Sequence, residues 1–408
     1  MNIRRVYMDN SATSFPKPPA VIEAMKRYAL EIGASAGRGA YREAMASAAV
    51  IAECRRRLAK LFNGQRPEHF IFTSNCSDGL NLALKGLVLY QLKQGRKPHC
   101  ICTCIDHNSV LRPLTAMEEL GWITQTRVPV DGKTGLVDPQ DIRKAIRPET
   151  CLIAATLASN VTGTLQSVRD ISAVTRGHNI PLVLDAAQAA GHVAIDVEAD
   201  GLDLLAMPGH KGLMGPLGTG VLYIRPGIEK IMQPLKEGGT GSVSEQPRQP
   251  EVLPDRFESG SHNAIGIAGL AEGVQWLLDR GMQQVMSHDR ELIATFIEGV
   301  SVVEIPGLRY FGPQGVANRV GVFSVRMDGF TPHELALALE KGYGILTRAG
   351  IHCAPLAHEA IGTLATNGTT RFSFGPFLSV ADVNYATDCL ADLAIAQREG
   401  RVVASLKT

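Results

Sequence analysis

Lys211 lies in the string MPGHKGLMGPLGTG, where glycines surround its amine. Glycine lets backbone approach a ligand closely, and a desolvated lysine can lose its proton and add to a carbonyl. Read alone, the GHKG string serves equally as a surface turn beside a structural histidine, His210. Asp185 ends the apolar run PLVLD. A carboxylate there can keep a pyridine nitrogen protonated, or it can cap a following helix. Gln188 follows closely enough to reach an oxygen of the same ring. A Schiff-base lysine paired with a carboxylate for a ring nitrogen is what pyridoxal 5'-phosphate requires.

The phosphate of such a cofactor needs donors. TSNCSDG, with Asn75, Cys76 and Ser77, falls between a predicted strand and a predicted helix. Free N–H groups at that helix start, with the Ser77 hydroxyl, make an anion site. Ser77 or Asp78 is expected to cap the helix. The string is no P-loop, because GxxxxGK[ST] is missing and Lys85 comes too late.

Cys353 sits in RAGIHCAPLAH beside His352. Its thiolate would be an effective nucleophile, and a buried structural cysteine fits the same string. Neighbours on a strand point apart, so His352 need not be its base. Arg371 opens RFSFGPF and Arg348 precedes the cysteine. Either can clamp a carboxylate bidentately, or serve as a surface salt bridge. Cys100, Cys102 and Cys104 alternate in HCICTCID, which puts them on one face of a strand. Their spacing is tighter than finger-type metal sites use, so strand packing is expected and no metal.

These residues need elements to hold them. Residues 19–30 and 41–62 read as helices, the second stopping at Asn63-Gly64. The strands HFIFTS, CICTCID, GWITQTRVPV, CLIAATLAS, PLVLDAAQ, LDLLAMPG and GVLYIRP follow, most of them separated by helical stretches. This βα alternation predicts an α/β fold with a mostly parallel, helix-covered sheet, whose ligand site lies beyond the strand C-termini. Ser74–Ser77, Asp106–His107, Ser159–Asn160, Asp185 and Gly209–Lys211 all fall near such ends. Residues 236–263 are polar and rich in Gly and Pro, and read as one long loop. Helices near 264–280 and 284–299, the strand VFSVRM, the helix PHELALALEKGYG, a short strand ILTRAG, the strand TTRFSFGPF and a helix over 382–398 form a smaller α+β unit.

The chain has 408 residues, 45% apolar and 20% charged, with net charge +1. That supports two domains and argues against a nucleic-acid partner. No apolar run reaches the ~18 residues of a membrane span, and the N-terminus does not read as a signal peptide. Eight scattered cysteines suit a reducing compartment, so a cytoplasmic location is expected.

The strings YMDNSATSFPKP, FTSNCSDGLN, DHNSVLRP, SNVTGT, LDAAQAAGH, GHKGLMGPLGTG, FESGSHN, RAGIHCAPLAH and TTRFSFGPF run nearly the whole chain. Together they resemble the class V, fold type I pyridoxal-phosphate enzymes of the cysteine desulfurase and selenocysteine lyase group. The resemblance implies a large domain with a seven-stranded sheet over residues 21–263. It implies a helical connection and small C-terminal domain over 264–408, with residues 1–20 associated with the small domain. His107 would stack on the cofactor ring and assist proton transfer, Asn160 and Gln188 would face the ring oxygen, and Asp185 the ring nitrogen. Asn75, Cys76, Ser77 and His210 would serve the phosphate, and Lys211 would hold the cofactor. Ser261 would reach the phosphate of a second subunit, so a homodimer is expected. Arg371, with Asn160 and Arg348, would bind the substrate. Cys353 would take sulfur from L-cysteine as a persulfide, leaving alanine, and pass it to an acceptor protein. Pro208 stands where the group commonly has serine, and Cys76 and Ser77 where it has paired threonines. Selenocysteine lyase, C–S lyase, aminotransferase or epimerase chemistry on the same scaffold, or a non-catalytic scaffold, are the alternative readings.

Overall fold

The structure, a computed structural model, describes residues 4–37, 39–243, 245–302 and 305–400. Ser244, within the polar stretch 236–263, is outside the described residues. After β1 (Val6–Tyr7), α1 (Pro19–Arg27) and α2 (Arg42–Leu61), strands and helices alternate: β2 (Phe70–Thr73), α3 (Cys76–Lys93), β3 (His99–Thr103), α4 (Asn108–Glu119), β4 (Thr124–Val128), α5 (Pro139–Ala145), β5 (Thr150–Thr156), α6 (Val168–Gly177) and β6 (Leu182–Asp185). Two strands without an intervening helix follow, β7 (Leu204–Pro208) and β8 (Gly220–Ile224).

These strands form a seven-stranded sheet in the order β2-β8-β7-β6-β5-β3-β4. β3 to β7 run parallel, while β8 is antiparallel to both its neighbours, β2 and β7. The sheet is therefore mostly parallel, as its apolar strands predict. Side chains alternate between two cores. Ile101, Ile153, Leu184, Leu205 and Val221 join residues of α2, α5 and α6 on one face. Cys100, Cys102, Leu152, Val183, Ala206 and Leu222 join α3 and α4 on the other. Cys100 and Cys102 thus pack in the core, while Cys104 lies past the end of β3 and is half-buried.

The helix α7 (Ala264–Arg280) also covers the first face, and α8 (Met282–Val302) leads to the smaller domain. There β9 (Leu308–Phe311), β10 (Val322–Met327), β12 (Arg348–Gly350) and β13 (Thr369–Ser373) make an antiparallel sheet in the order β12-β13-β10-β9. The helices α9 (Pro332–Tyr343), α10 (Pro355–Ala360) and α11 (Val380–Arg398) complete it. Capping boxes start α9 at Thr331 and Glu334, and α11 at Ser379 and Asp382.

Two expectations need correction, and three short elements were not anticipated. The ILTRAG strand is two: β11 (Ile345–Leu346) pairs with β1, and β12 pairs with β13. The break lets one short run serve two sheets. The cap of α3 is Asn75, whose side-chain oxygen accepts the Asp78 N–H at 2.9 Å. Ser77 and Asp78 lie inside the first turn. Finally β1, β9 and α10 are elements that periodicity over so few residues does not reveal. No helix among the described residues is long and apolar enough to cross a membrane.

Phe296 of α8 is fully buried, its ring centroid 4.3 Å from that of Phe323 and 5.6 Å from that of Phe372. Phe296→Ala is expected to lower unfolding free energy by about 3–5 kcal/mol, read as a lower urea midpoint. An unchanged midpoint would mean that this aromatic cluster does not hold the small domain.

Candidate active site

The parallel strands end on one side of the sheet, and there the chain places the predicted residues. β6 ends at Asp185, and β7 ends at Pro208, just before His210 and Lys211. The N-termini of α3 and α4 bring Asn75, Cys76, Ser77 and His107 to the same place. A cavity of about 130 Å³ is lined by Asn75, Cys76, Ser77, His107, Asn160, Asp185, Gln188, His210 and Lys211, with Ser109 and Thr156.

Glycine around Lys211 is required by close packing within the protein itself. A Cβ on Gly212 would stand 2.1 Å from the Ala190 carbonyl oxygen, and one on Gly209 2.1 Å from the Thr219 hydroxyl. The turn is pressed against protein, and this seats Lys211 at the strand end. Burial lowers the Lys211 pKa, and the Asp185 carboxylate opposes that shift. Asp185 Oδ1 accepts the Ala187 N–H at 2.9 Å in a tight turn rather than at a helix start, and the Cys76 thiol at 3.5 Å. Burial pushes the Cys76 thiol well up, so it stays protonated as that donor.

His107 caps α4. Its Nδ1 accepts the Ser109 N–H at 3.0 Å, which assigns the ring proton to Nε2. The Ser109 hydroxyl stands 2.9 Å from Nδ1 and 2.6 Å from the Ser77 hydroxyl. Burial lowers the His107 pKa, keeping the ring neutral. His210 is pushed down to about 4 by burial, then by Lys211 and Lys17. Its buried Nδ1 has no hydrogen-bond partner among the described residues. A buried polar atom without a partner is costly, and a ligand oxygen would satisfy it.

Those features fit pyridoxal phosphate: an amine of lowered basicity, a carboxylate, a neutral ring at a helix N-terminus, and an unpartnered histidine nitrogen in the same cavity as the start of α3.

Arg371, Arg348, Cys353 and Ser261 do not line this cavity, and Arg371 and the cysteine segment are joined to its wall through Asn160. Arg371 is buried on β13, with Nη1 donating to the Asn160 carbonyl at 3.2 Å and Nη2 to Asp9 Oδ1 at 3.0 Å. Its Nε has no partner among the described residues. Arg348, half-exposed, donates from Nε to Asp9 Oδ2 at 3.0 Å. Ser261 is not brought to the Lys211 cavity. It lines a neighbouring one with Ser74, Asp78 and Lys236.

Cys353 is exposed, in the short segment between β12 and α10. His352 and Cys353 both adopt left-handed backbone, with φ of 51° and 59°. That conformation costs non-glycine residues about 1–2 kcal/mol each, so something must hold it. Asn160 Nδ2 donates to the His352 carbonyl at 2.6 Å, and the Asn108 N–H to the Cys353 carbonyl at 2.8 Å. Two residues flanking the cavity thus fix the cysteine segment.

Sequence reasoning assigned no role to Asp9, Asn108, Thr13, Ser14 or Lys17. The Thr13 hydroxyl, the Ser14 N–H and Lys17 Nζ all donate to the His210 carbonyl. The signal available was the polar run DNSATSFPK between an apolar strand and a helix.

The family model described as aminotransferase class-V matches residues 6–385. A probable cysteine desulfurase of Methanothermobacter thermautotrophicus is 31% identical, covering 95% of this chain and 94% of that protein. One of Pyrococcus abyssi is 33% identical, covering 97% and 96%. The structure of a cysteine desulfurase from Thermococcus onnurineus superposes with a TM-score of 0.88 at 30% identity, covering 96% of this chain and 95% of that one. The chain belongs to the class-V aminotransferase family, in its cysteine desulfurase-like group.

Proposed function

We propose that the chain is a pyridoxal-phosphate-dependent cysteine desulfurase that converts L-cysteine to L-alanine and moves the sulfur to Cys353. The observation that carries this reading is the fixing of an exposed cysteine to the cavity wall through Asn160 and Asn108. A purely structural cysteine would be buried.

Bound pyridoxal phosphate supplies an aldehyde that exchanges amines and a ring that accepts carbanion charge. Lys211 would hold the cofactor, and its amine would take the proton from the substrate α-carbon. Asp185 would keep the ring nitrogen protonated, and His210, Ser77 and the start of α3 would hold the phosphate. Gln188, Asn160 and His107, which line the same cavity, would face the rest of the ring. Arg371 binds the substrate carboxylate, Nε being its unpartnered donor. Cys353, as thiolate, attacks the substrate sulfur. The new S–S bond forms as the C–S bond breaks, and the carbon keeps the electron pair and gains a proton. Thiol and cysteine in, persulfide and alanine out, the atoms balance.

His352 is not the base for Cys353. Its Nε2 faces the Thr369 carbonyl at 3.1 Å, and burial holds its pKa far down. The Cys353 proton leaves to solvent, and exposure also lets an acceptor protein reach the persulfide. The separate position of Ser261 supports a homodimer in which it serves the partner's site. Pairing of β1 with β11 supports the division into residues 1–20 riding on a small domain over 264–408, and a large domain over 21–263. The absence of an apolar spanning helix among the described residues is consistent with a cytoplasmic enzyme.

Cys353→Ala is expected to keep the cofactor's visible absorption while alanine release from L-cysteine falls by about 100-fold or more, whereas Lys211→Ala should lose both the cofactor linkage and the activity. Wild-type alanine release by Cys353→Ala would contradict the assignment. If the variant still cleaves L-selenocysteine at the wild-type rate, a selenocysteine lyase reading gains.

The buried histidines also set a pH window. His210 and His358 are held at about 4 by burial, and His352 is held down too, against about 6.5 when unfolded. Below about 6.5 the unfolded chain takes protons that the folded one refuses, so stability is fully present above that pH and falls toward 4. The melting temperature should drop between pH 7 and pH 5, with a shallower drop in His358→Gln. A flat profile would show that these rings take up protons in the fold as readily as in the unfolded chain.

A further inference from the structure

The peptide that carries Lys211 is gripped from a distant part of the sequence. The His210 carbonyl accepts the Ser14 N–H at 3.1 Å, the Thr13 hydroxyl at 3.0 Å and Lys17 Nζ at 2.6 Å. Lys17 Nζ also stands 2.7 Å from Ser14 Oγ, and Ser14 Oγ 2.9 Å from the Lys211 carbonyl. An ammonium can only donate. Ser14 Oγ therefore accepts from Lys17, and its single proton turns to the Lys211 carbonyl at 2.9 Å, the nearer of the two in reach, the His210 carbonyl standing at 3.2 Å. Both carbonyls bracketing the Lys211 backbone are thus set by one cation.

Lys17 is half-buried and has no ion-pair partner among the described residues. Burying an ammonium without a counter-charge is unfavourable, and burial lowers its pKa to about 8. A cation kept at that cost, with its contacts directed to the Lys211 peptide, is poorly explained as a surface residue. The same segment reaches two other parts of the site. The Ser11 carbonyl accepts Gln188 Nε2 at 3.1 Å, and Asp9 holds Arg371.

We propose that Lys17 is a positioning residue for Lys211, its ammonium locking the His210–Lys211 backbone through the His210 carbonyl and the Ser14 hydroxyl. It acts through the peptide and touches no reacting atom. The inference deepens the proposed function and rests on Lys211 being the cofactor lysine. The orientation of Lys211 relative to Asp185 then depends on a residue nearly two hundred positions earlier.

The test uses the full chain loaded with pyridoxal phosphate, as wild type, Lys17→Met, Lys17→Arg and Ser14→Ala. Visible circular dichroism of the bound cofactor reports its orientation without any turnover. Lys17→Met is expected to lose about half or more of that signal, with kcat for alanine release falling about tenfold or more while KM for L-cysteine stays within about twofold, because Arg371 is untouched. Lys17→Arg should recover most of both. Ser14→Ala should show the same dichroism change in smaller degree, and it decides the matter if Lys17→Met does not fold. Wild-type dichroism and kcat in Lys17→Met, or in Ser14→Ala where the former is unfolded, would overturn the inference. So would a Lys17→Arg variant no better than Lys17→Met, which would mark Lys17 as merely structural. A wild-type protein that binds the cofactor yet makes no alanine from L-cysteine would overturn the proposed function, leaving the dichroism to decide the role of Lys17. One that binds no cofactor would overturn both.

Discussion

An amine buried at the mouth of a helix-covered sheet, with a buried carboxylate to oppose its loss of charge, is the constraint around which the molecule is organised. Burial lowers the basicity of Lys211, and Asp185 limits the shift. Neither effect survives if water enters or if the two residues separate. The tight turn through Gly209 and Gly212, the short parallel strands and the two cores on either side of the sheet all keep that pair in place. Around it the neutral rings of His107 and His210 present single N–H donors rather than additional positive charge.

The second domain brings what the sheet alone lacks. Arg371 and the cysteine segment come from the small sheet and its loops, yet both are tied to the large domain at Asn160. Its side chain holds the His352 carbonyl, and its own carbonyl accepts from Arg371. One residue therefore couples the group proposed for the substrate carboxylate with the segment that carries the proposed sulfur acceptor. Asp9 bridges Arg371 and Arg348 and leaves Arg371 Nε unpartnered among the described residues. The N-terminal segment is thus part of the site architecture.

Much of this was legible in the sequence, and the reasons are local. Apolar runs ending in polar residues mark strand C-termini, so Asp185, His107, Asn160 and Lys211 could be placed at one mouth before any contact was known. Family strings then assigned roles. What stayed hidden depends on contacts between residues far apart in the chain. Nothing near Asp9 points to Arg371, and nothing near Lys17 points to the His210 carbonyl. The cap of α3 was misplaced because Asn75, Ser77 and Asp78 are all good capping residues, and only backbone geometry selects Asn75. The split of ILTRAG into β11 and β12 was hidden because its first half pairs with the N-terminal strand. The left-handed pair His352–Cys353 carries no sequence mark, since neither residue is glycine.

The central claim is that sulfur from the substrate arrives on Cys353. The direct measurement is peptide mapping by mass spectrometry after the loaded protein has turned over L-cysteine carrying isotopically labelled sulfur, with free thiols alkylated and no reductant added. The account predicts that the peptide containing Cys353 gains one labelled sulfur atom while peptides carrying Cys76, Cys100 and Cys102 do not. Alanine formed with no label on Cys353, or with the label on another cysteine, would contradict it.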